Sequence, residues 1–432
     1  MTNVVLVLMD DMRKDLLPYM PFCYGTLMPE GTEFENMRCE VPICSPARAA
    51  VLTGQHSRDS GNLVYDNTES IPNDTTDTLP LWVQGATASN GFFGKYSNNL
   101  GTVAPGWDFW RCLSAGTQEA YAYTVQKQDS STTTPGTSGV HQLKHLQTEI
   151  NSYLSSVSGP FFCYFAPTNP HINVTQFHNN PWFSTMSKFG WVKWPMEHLL
   201  SDSDAATKPT FRTQVGAQLS YSTLSAMRTE IQQQIREVYD VDTVIKSMYD
   251  TLAARGGSIL SDTIWIFATD SGVHYEEQRL MGNAGVTLAG KNEPFDFISK
   301  VPCFMSGQNI PAETKVATLA TLQDITATIL AIFSSSATLT QRGTDLRTFI
   351  TTEDPTRVSL YERQESGDAT LPDATGIWTP TRALIKYVGQ TSGDTYEMYD
   401  LDTDPNWYTN VANQGGRLTE RNALEAQMNA IV

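Results

Sequence analysis

Two unbroken apolar runs, each ending in acid, constrain this chain more than any other feature. Thr2-Asn3-Val4-Val5-Leu6-Val7-Leu8-Met9 runs into Asp10-Asp11, and Asp262-Thr263-Ile264-Trp265-Ile266-Phe267-Ala268-Thr269 runs into Asp270-Ser271. A strand with one wet face alternates in polarity. A run that is apolar throughout is buried on both faces, the situation of a strand inside a parallel sheet covered by helices. Phe161-Phe162-Cys163-Tyr164-Phe165-Ala166-Pro167 is a third such run. Helical stretches are expected over 79–88, over 141–155 and over 219–255, the last stopped by Gly256-Gly257. The expected fold class is therefore α/β, a large domain with a mostly parallel central sheet flanked by helices. Such sheets bind ligands at the C-terminal ends of their central strands. Adjacent Asp10 and Asp11 repel one another there, and a hard cation would relieve that. Asp270, at the end of a second central strand, could complete such a site.

Composition narrows the partners. The 432 residues include 40% apolar ones, enough for a large core plus a smaller one. The net charge of −17 repels nucleic acid and anionic membranes, so neither is an expected partner. An anionic substrate would need a local basic pocket that overrides this field. The six cysteines are scattered, with no CxxC or Cys/His zinc spacing, which leaves pairing and redox compartment open. The chain enters its first strand at once, without a leader-like segment, and has no 18-residue apolar run. No membrane span is expected, and the localisation stays open.

A local basic pocket has a candidate in Val41-Pro42-Ile43-Cys44-Ser45-Pro46-Ala47-Arg48-Ala49-Ala50-Val51-Leu52-Thr53-Gly54. Pro46 suits a first helical turn, the Ala-rich run suits a helix, and Gly54 stops it. Cys44 then sits at a helix N-terminus, where free N–H groups and the helix dipole favour negative charge. Arg48 follows one turn later and can lean back toward it. The pattern C-x-P-x-R with T-G after it resembles the signature of the type I, formylglycine-dependent sulfatases of the alkaline phosphatase superfamily.

The resemblance continues in order along the chain. The strand followed by Asp10-Asp11 resembles the family's N-terminal metal-binding pair. Gly94-Lys95 and Pro105-Gly106-Trp107-Asp108-Phe109-Trp110 resemble its G-K and P-x-G-W segments. Many members carry a histidine two residues after this lysine, where Ser97 stands here. The form Gly94-Lys95-Tyr96-Ser97-Asn98 is nearer to the N-acetylglucosamine-6-sulfatase branch. Pro170-His171 matches a P-H after a buried strand. Asp270-Ser271-Gly272-Val273-His274 resembles the family's Asp-Asn-Gly, with Ser271 in place of the amide. Lys291 precedes Phe295-Asp296 as a family lysine precedes an aromatic–acid pair, and 318–332 resembles the helix beyond it.

The resemblance implies an enzyme that hydrolyses sulfate esters of a sulfated carbohydrate or an aryl sulfate. A formylglycine-generating enzyme would convert Cys44 during maturation, and the hydrated aldehyde would be the nucleophile. One divalent cation, Ca2+ or else Mg2+, would sit on Asp10, Asp11, the Cys44-derived group, Asp270 and Ser271. Arg48, Lys95, His171 and Lys291 would face the sulfate, with His171 or Lys291 protonating the departing oxygen. His274 is the candidate base in place of the histidine missing at Ser97. Members of the family are usually secreted, periplasmic or lysosomal.

The resemblance also divides the chain into a catalytic domain, 1–352, and a small C-terminal α+β subdomain, 353–432. Strands are expected there over 357–361 and 382–388. Tyr399-Asp400-Leu401-Asp402-Thr403-Asp404-Pro405 follows, and 418–432 is expected to form a closing helix over an antiparallel sheet. The alternating Asp400, Asp402 and Asp404 read as a turn-rich loop rather than a calcium site. The polar stretch 126–139 reads as an exposed loop. Trp182, Trp191 and Trp194 lie in an irregular insertion that either walls a sugar cleft or packs as a plug. Two other functions fit the same residues: a phosphatase or phosphonate hydrolase of the superfamily, or a non-catalytic sulfated-glycan-binding homologue.

Overall fold

The computed structural model describes residues 2–61, 71, 76–98, 102–115, 117, 119–171, 202–209, 221–275, 290–364, 372–389 and 393–431. The three tryptophans of the insertion, Trp182, Trp191 and Trp194, lie outside the described residues.

Ten strands form the main sheet: β1 (Asn3–Met9), β2 (Gly31–Arg38), β3 (Ser89–Gly94), β4 (Phe109–Ala115), β5 (Thr124–Lys127), β6 (Thr132–Thr133), β7 (Phe161–Ala166), β8 (Thr263–Thr269), β9 (Phe304–Gly307) and β10 (Thr314–Thr321). Their order is β10-β2-β9-β8-β1-β7-β3-β4-β5-β6. The run β8-β1-β7-β3-β4 is parallel throughout, and β9 and the β5–β6 edge are antiparallel. The three apolar runs are the three central strands, and every residue of β1, β7 and β8 is buried.

The pleat sends alternate residues of β1 to opposite cores. Val4, Leu6 and Leu8 pack with Ala47, Val51 and Leu52 of the helix Cys44–Thr53 and with Ile325 and Ile329 of the helix Leu322–Ile332. Val5, Val7 and Met9 pack with Leu146 and Ile150 of the helix Gln142–Ser156 and with Ile235 and Val238 of the helix Tyr221–Ala254. Helices thus cover both faces, as the apolar runs require.

Three local expectations are corrected. The helix expected over 79–88 stops at Val83, because the chain must turn to enter β3 at Ser89. The stretch expected as an exposed loop over 126–139 carries the end of β5, all of β6 and a 3-10 turn, Pro135–Ser138. An edge hairpin gains backbone pairing without needing apolar side chains. Of the helix expected over 318–332, the first four residues finish β10. Thr321 and Asp324 form a capping box there, each side chain accepting from the other's backbone N–H, and this fixes the helix start at Leu322.

A second sheet is antiparallel, in the order β11 (Ser359–Arg363), β12 (Ala374–Trp378), β13 (Arg382–Tyr387) and β14 (Thr395–Asp400). The helix Leu418–Ile431 closes one face through Leu424 and Met428, which meet Leu360, Ile377, Leu384 and Met398. The other face brings Tyr361, Trp378, Tyr387 and Tyr399 against Phe295, Ile298 and Leu319 of the larger part. Asp404 accepts from the Tyr408 and Thr409 N–H groups at 2.9 and 2.8 Å, and Asp400 pairs with Arg382 and Arg417, as turn-forming carboxylates do. All six cysteines are buried and free. Among the described residues no helix is long and apolar enough to cross a membrane.

Candidate active site

The candidate residues come from the C-terminal ends of β1, β3, β7 and β8, four neighbours in the sheet, from the start of the helix Cys44–Thr53 and, for Lys291, from the segment before the short helix Asp296–Ser299. Asp11 takes a φ of 60°, a left-handed conformation that aspartate tolerates better than most residues. This turns the end of β1 so that the Asp11 N–H donates to Asp270 Oδ1 at 3.0 Å. Gly94 ends β3 with a φ of 118°, and a Cβ there would lie 1.9 Å from the Ala166 carbonyl oxygen. Only glycine lets β3 pass this close to β7 and deliver Lys95 to the site.

Three carboxylates and three cations interlock around Cys44. Asp10 Oδ2 accepts from Lys95 Nζ at 2.7 Å, and its Oδ1 lies 3.2 Å from Cys44 Sγ and 3.6 Å from Arg48 Nη2. Arg48 Nη2 also meets Asp270 Oδ2 at 2.8 Å, while its Nη1 donates to the Lys95 carbonyl at 2.7 Å. Lys291 Nζ stands 2.9 Å from both Asp11 oxygens, 2.9 Å from Cys44 Sγ and 3.5 Å from His171 Nε2. His171 Nε2 is 3.3 Å from Asp11 Oδ2, and Ser271 Oγ donates to Asp11 Oδ1 at 2.9 Å. The Arg48 and Asp10 side chains are fully buried, whereas those of Lys291 and His171 are 11% and 15% exposed. The cluster therefore opens on the Lys291–His171 side.

Burial and this charge pattern set the protonation states. Burial alone would raise Asp10, but Lys95 and Arg48 hold it well below the usual carboxylate range. Burial and repulsion from Asp10 push Asp270 up to about 7, against the pull of Arg48. Burial works against the charge of Lys291, yet Asp11 holds its ammonium well above the ordinary range. Burial takes His171 down to about 4 despite Asp11, so its imidazole is neutral near pH 7. Burial and Asp10 push the Cys44 thiol up to about 12, although Lys291 and Lys95 oppose this. A neutral thiol is a poor nucleophile, so Cys44 is not poised to act as a thiolate.

Ligand atoms of Asp10, Asp11, Cys44 and His171 all lie within 4.8 Å of one another, a group able to hold a metal ion. His171, read from the sequence as an anion or proton contact, thus falls among the possible donors, a position the sequence reading did not include. Asp270 is outside this foursome, with its oxygens directed to the Asp11 N–H and to Arg48. Ser271 reaches the group through Asp11. His274 is buried and exchanges two backbone hydrogen bonds with Gly290, next to Lys291, and its ring fills the space a side chain on Gly290 would need. It stands beside the Lys291 segment rather than among the four donors. Ser97 is buried, and the neighbouring Asn98 N–H reaches Ser45 Oγ at 3.4 Å. No local pattern marks Glu237, a buried acid that accepts at 3.5 Å from the amide of Asn169, two residues before His171.

Comparison with known proteins gives the family and the fold. The chain is 24% identical over 366 residues to the N-acetylglucosamine-6-sulfatase of Capra hircus, covering 78% of this chain and 61% of that protein. It is 23% identical over 359 residues to the extracellular sulfatase SULF-1 homolog of Drosophila melanogaster, covering 76% of this chain and 29% of that protein. It therefore spans less than two thirds of the length of these curated relatives. A protein solved in complex with its substrate D-glucosamine-2-N,6-O-disulfate has the same fold, with a TM-score of 0.76 at 17% identity over 100% of this chain and 97% of that one. So does the phosphonate monoester hydrolase of Silicibacter pomeroyi, with a TM-score of 0.77 at 15% identity over 100% and 95%. The model of the sulfatase family matches residues 2–335, and the chain belongs to that family.

Proposed function

We propose that this protein hydrolyses sulfate esters of a sulfated sugar or glycan, using formylglycine made from Cys44 and one divalent cation. The observation that carries this reading is the gathering of three cations about Cys44 at a helix N-terminus: Lys291 meets its sulfur directly, and Lys95 and Arg48 meet Asp10, which lies 3.2 Å from that sulfur. Asp10, Asp11 and a part-ionised Asp270 already offset most of the charge of these three cations, so the cluster has little surplus positive charge of its own. The donor chemistry fits a hard cation: Asp10 and Asp11 offer oxygens within one group, and Asp270 and Ser271 are hydrogen-bonded to Asp11. Bound by these residues, calcium, which accepts irregular oxygen shells more readily than magnesium, would supply the missing positive charge and polarise a sulfate oxygen. Formylglycine would supply a hydrated aldehyde as nucleophile where the neutral thiol cannot serve.

The chain's own residues do the rest. Arg48 and Lys95, fixed by buried ion pairs, hold the non-bridging oxygens through the build-up of charge, and losing one such donor costs on the order of 10²–10³ in rate. Lys291, whose ammonium stays charged on the open side, would give the departing oxygen its proton, with the neutral His171 imidazole beside it as a hydrogen-bond partner. His274, beside the Lys291 segment, is the candidate base for restoring the aldehyde. The resemblance of Gly94-Lys95-Tyr96-Ser97-Asn98 to the N-acetylglucosamine-6-sulfatase branch, and the named relatives, favour a 6-sulfated glucosamine.

The test is a screen of sulfated mono- and oligosaccharides with free sulfate as the readout, using protein made alongside a formylglycine-generating enzyme. Sulfate release from 6-sulfated N-acetylglucosamine, lost with a chelator and restored by calcium, is the expected result. Release from no sulfated sugar, with tight binding of one, would identify a non-catalytic glycan-binding protein instead.

A further inference from the structure

The residues around Lys291 are held by the small antiparallel sheet. On one side, the Asn292 N–H donates to the Pro42 carbonyl at 3.0 Å, two residues before Cys44. On the other, the Tyr361 hydroxyl on β11 donates to the Asn292 carbonyl at 2.9 Å, and Arg363 Nη1 on the same strand meets Glu293 Oε1 at 3.0 Å. Asn292 itself has a φ of 68°, a left-handed turn that needs such holding. The Arg363–Glu293 pair is almost completely buried, with side chains 0% and 3% exposed, so its charges are screened little by solvent. The Lys291 peptide is thus gripped between the Cys44 loop and a strand some 70 residues further along.

We infer that Tyr361 and Arg363 are positioning residues, through which the C-terminal sheet aims the Lys291 ammonium at Cys44 and the substrate anion. This rests on the reading of Lys291 as a cation of the catalytic site. The geometry favours this role over simple adhesion between the two sheets. An adhesive contact would be satisfied by the apolar face of β11–β14 against Phe295 and Ile298, whereas these two polar side chains bond the two residues that follow Lys291.

Tyr361→Phe is the cleanest probe, since it removes the hydroxyl and keeps the ring packing. Net loss of one hydrogen bond is expected to lower kcat for an aryl sulfate about three- to tenfold, with little change in KM and in the melting temperature. The same substitution is then made in Lys291→Ala, whose residual rate is followed over long incubations. If Tyr361 acts through Lys291, it has no further effect in that background. An equal fold-loss in both backgrounds, or no loss in the wild-type background, overturns the positioning role. A Lys291→Ala protein at wild-type rate would overturn the reading of the site itself. Arg363→Met alone strands a buried charge and endangers folding. The paired Arg363→Met/Glu293→Met variant removes both charges, and the same non-additivity with Lys291→Ala is expected of it.

Discussion

Lys291 and Cys44, 247 residues apart in the chain, meet side chain to side chain, with Nζ 2.9 Å from Sγ. The same ammonium bridges both oxygens of Asp11. The start of the helix Cys44–Thr53, the acidic end of β1 and the segment after His274 therefore form one electrostatic unit.

Replacing Cys44 tests the nucleophile. Cys44→Ala removes one sulfur from a tight site, and a stability cost of no more than about 2 kcal/mol is expected. Sulfate release is expected to fall by at least about 10⁴-fold. Urea unfolding and a sulfate assay on the same preparation measure the two effects, and substantial activity in a folded Cys44→Ala protein would remove Cys44 from the mechanism.

Gly94→Ala tests the close approach of β3 to β7. Its φ of 118° and the 1.9 Å approach of a Cβ to the Ala166 carbonyl leave no room without moving the strand end. The substitution should destabilise the fold by more than about 1 kcal/mol and shift Lys95, whose N–H donates to that same carbonyl. A protein with wild-type unfolding midpoint and rate would show that the strand end relaxes freely.

The fold was legible where one segment carried the whole signal. β1, β7 and β8 announce themselves because burial on both faces needs apolar residues at every position. β12 and the β5–β6 edge went unread because short, partly polar strands draw their stability from partners that no local pattern reveals. Residues 318–321 looked helical beside an apolar helix, yet the cap at Thr321 decides the boundary, and such boundaries turn on single side chains. For the site, Asp10, Asp11 and Asp270 could be placed from strand ends alone. Lys95, His171 and Lys291 stood out only through resemblance to a family. The grip of Tyr361 and Arg363 on the Lys291 segment is a long-range contact between two sheets, and nothing local encodes it.

That cap gives a direct stability prediction. Thr321→Ala removes the hydroxyl that accepts from the Asp324 N–H, while Asp324 keeps its pair with Arg357 at 2.6 Å. A loss of about 1 kcal/mol is expected by urea unfolding, with activity unchanged because the helix end lies outside the donor cluster. A neutral result would mean that the Arg357–Asp324 pair alone fixes the helix start.

Glu237 predicts a pH dependence with a definite sign. Burial raises its carboxyl from 4.5 to about 8, with hydrogen bonds from Gln233 and Asn169 opposing. Between those values the folded chain holds a proton that the unfolded chain has released. More protons bound in the folded state means that this group's contribution to unfolding free energy falls as pH rises through that window. Glu237→Gln, which keeps an acceptor and cannot ionise, should flatten this part of the profile and be the more stable protein by more than about 1 kcal/mol at pH 8. Parallel profiles for the two proteins would show that Glu237 ionises in the fold without penalty.

The central claim, that the buried cations around Cys44 serve a sulfate ester, is tested most directly by one ratio. The measurement is kcat/KM for an aryl sulfate against the matched aryl phosphate, using protein whose Cys44 has been converted and with calcium present. The sulfate is expected to be preferred by orders of magnitude. A preference of that size for the phosphate would contradict that claim, and would point to phosphoester chemistry, as in the phosphonate monoester hydrolase that shares this fold.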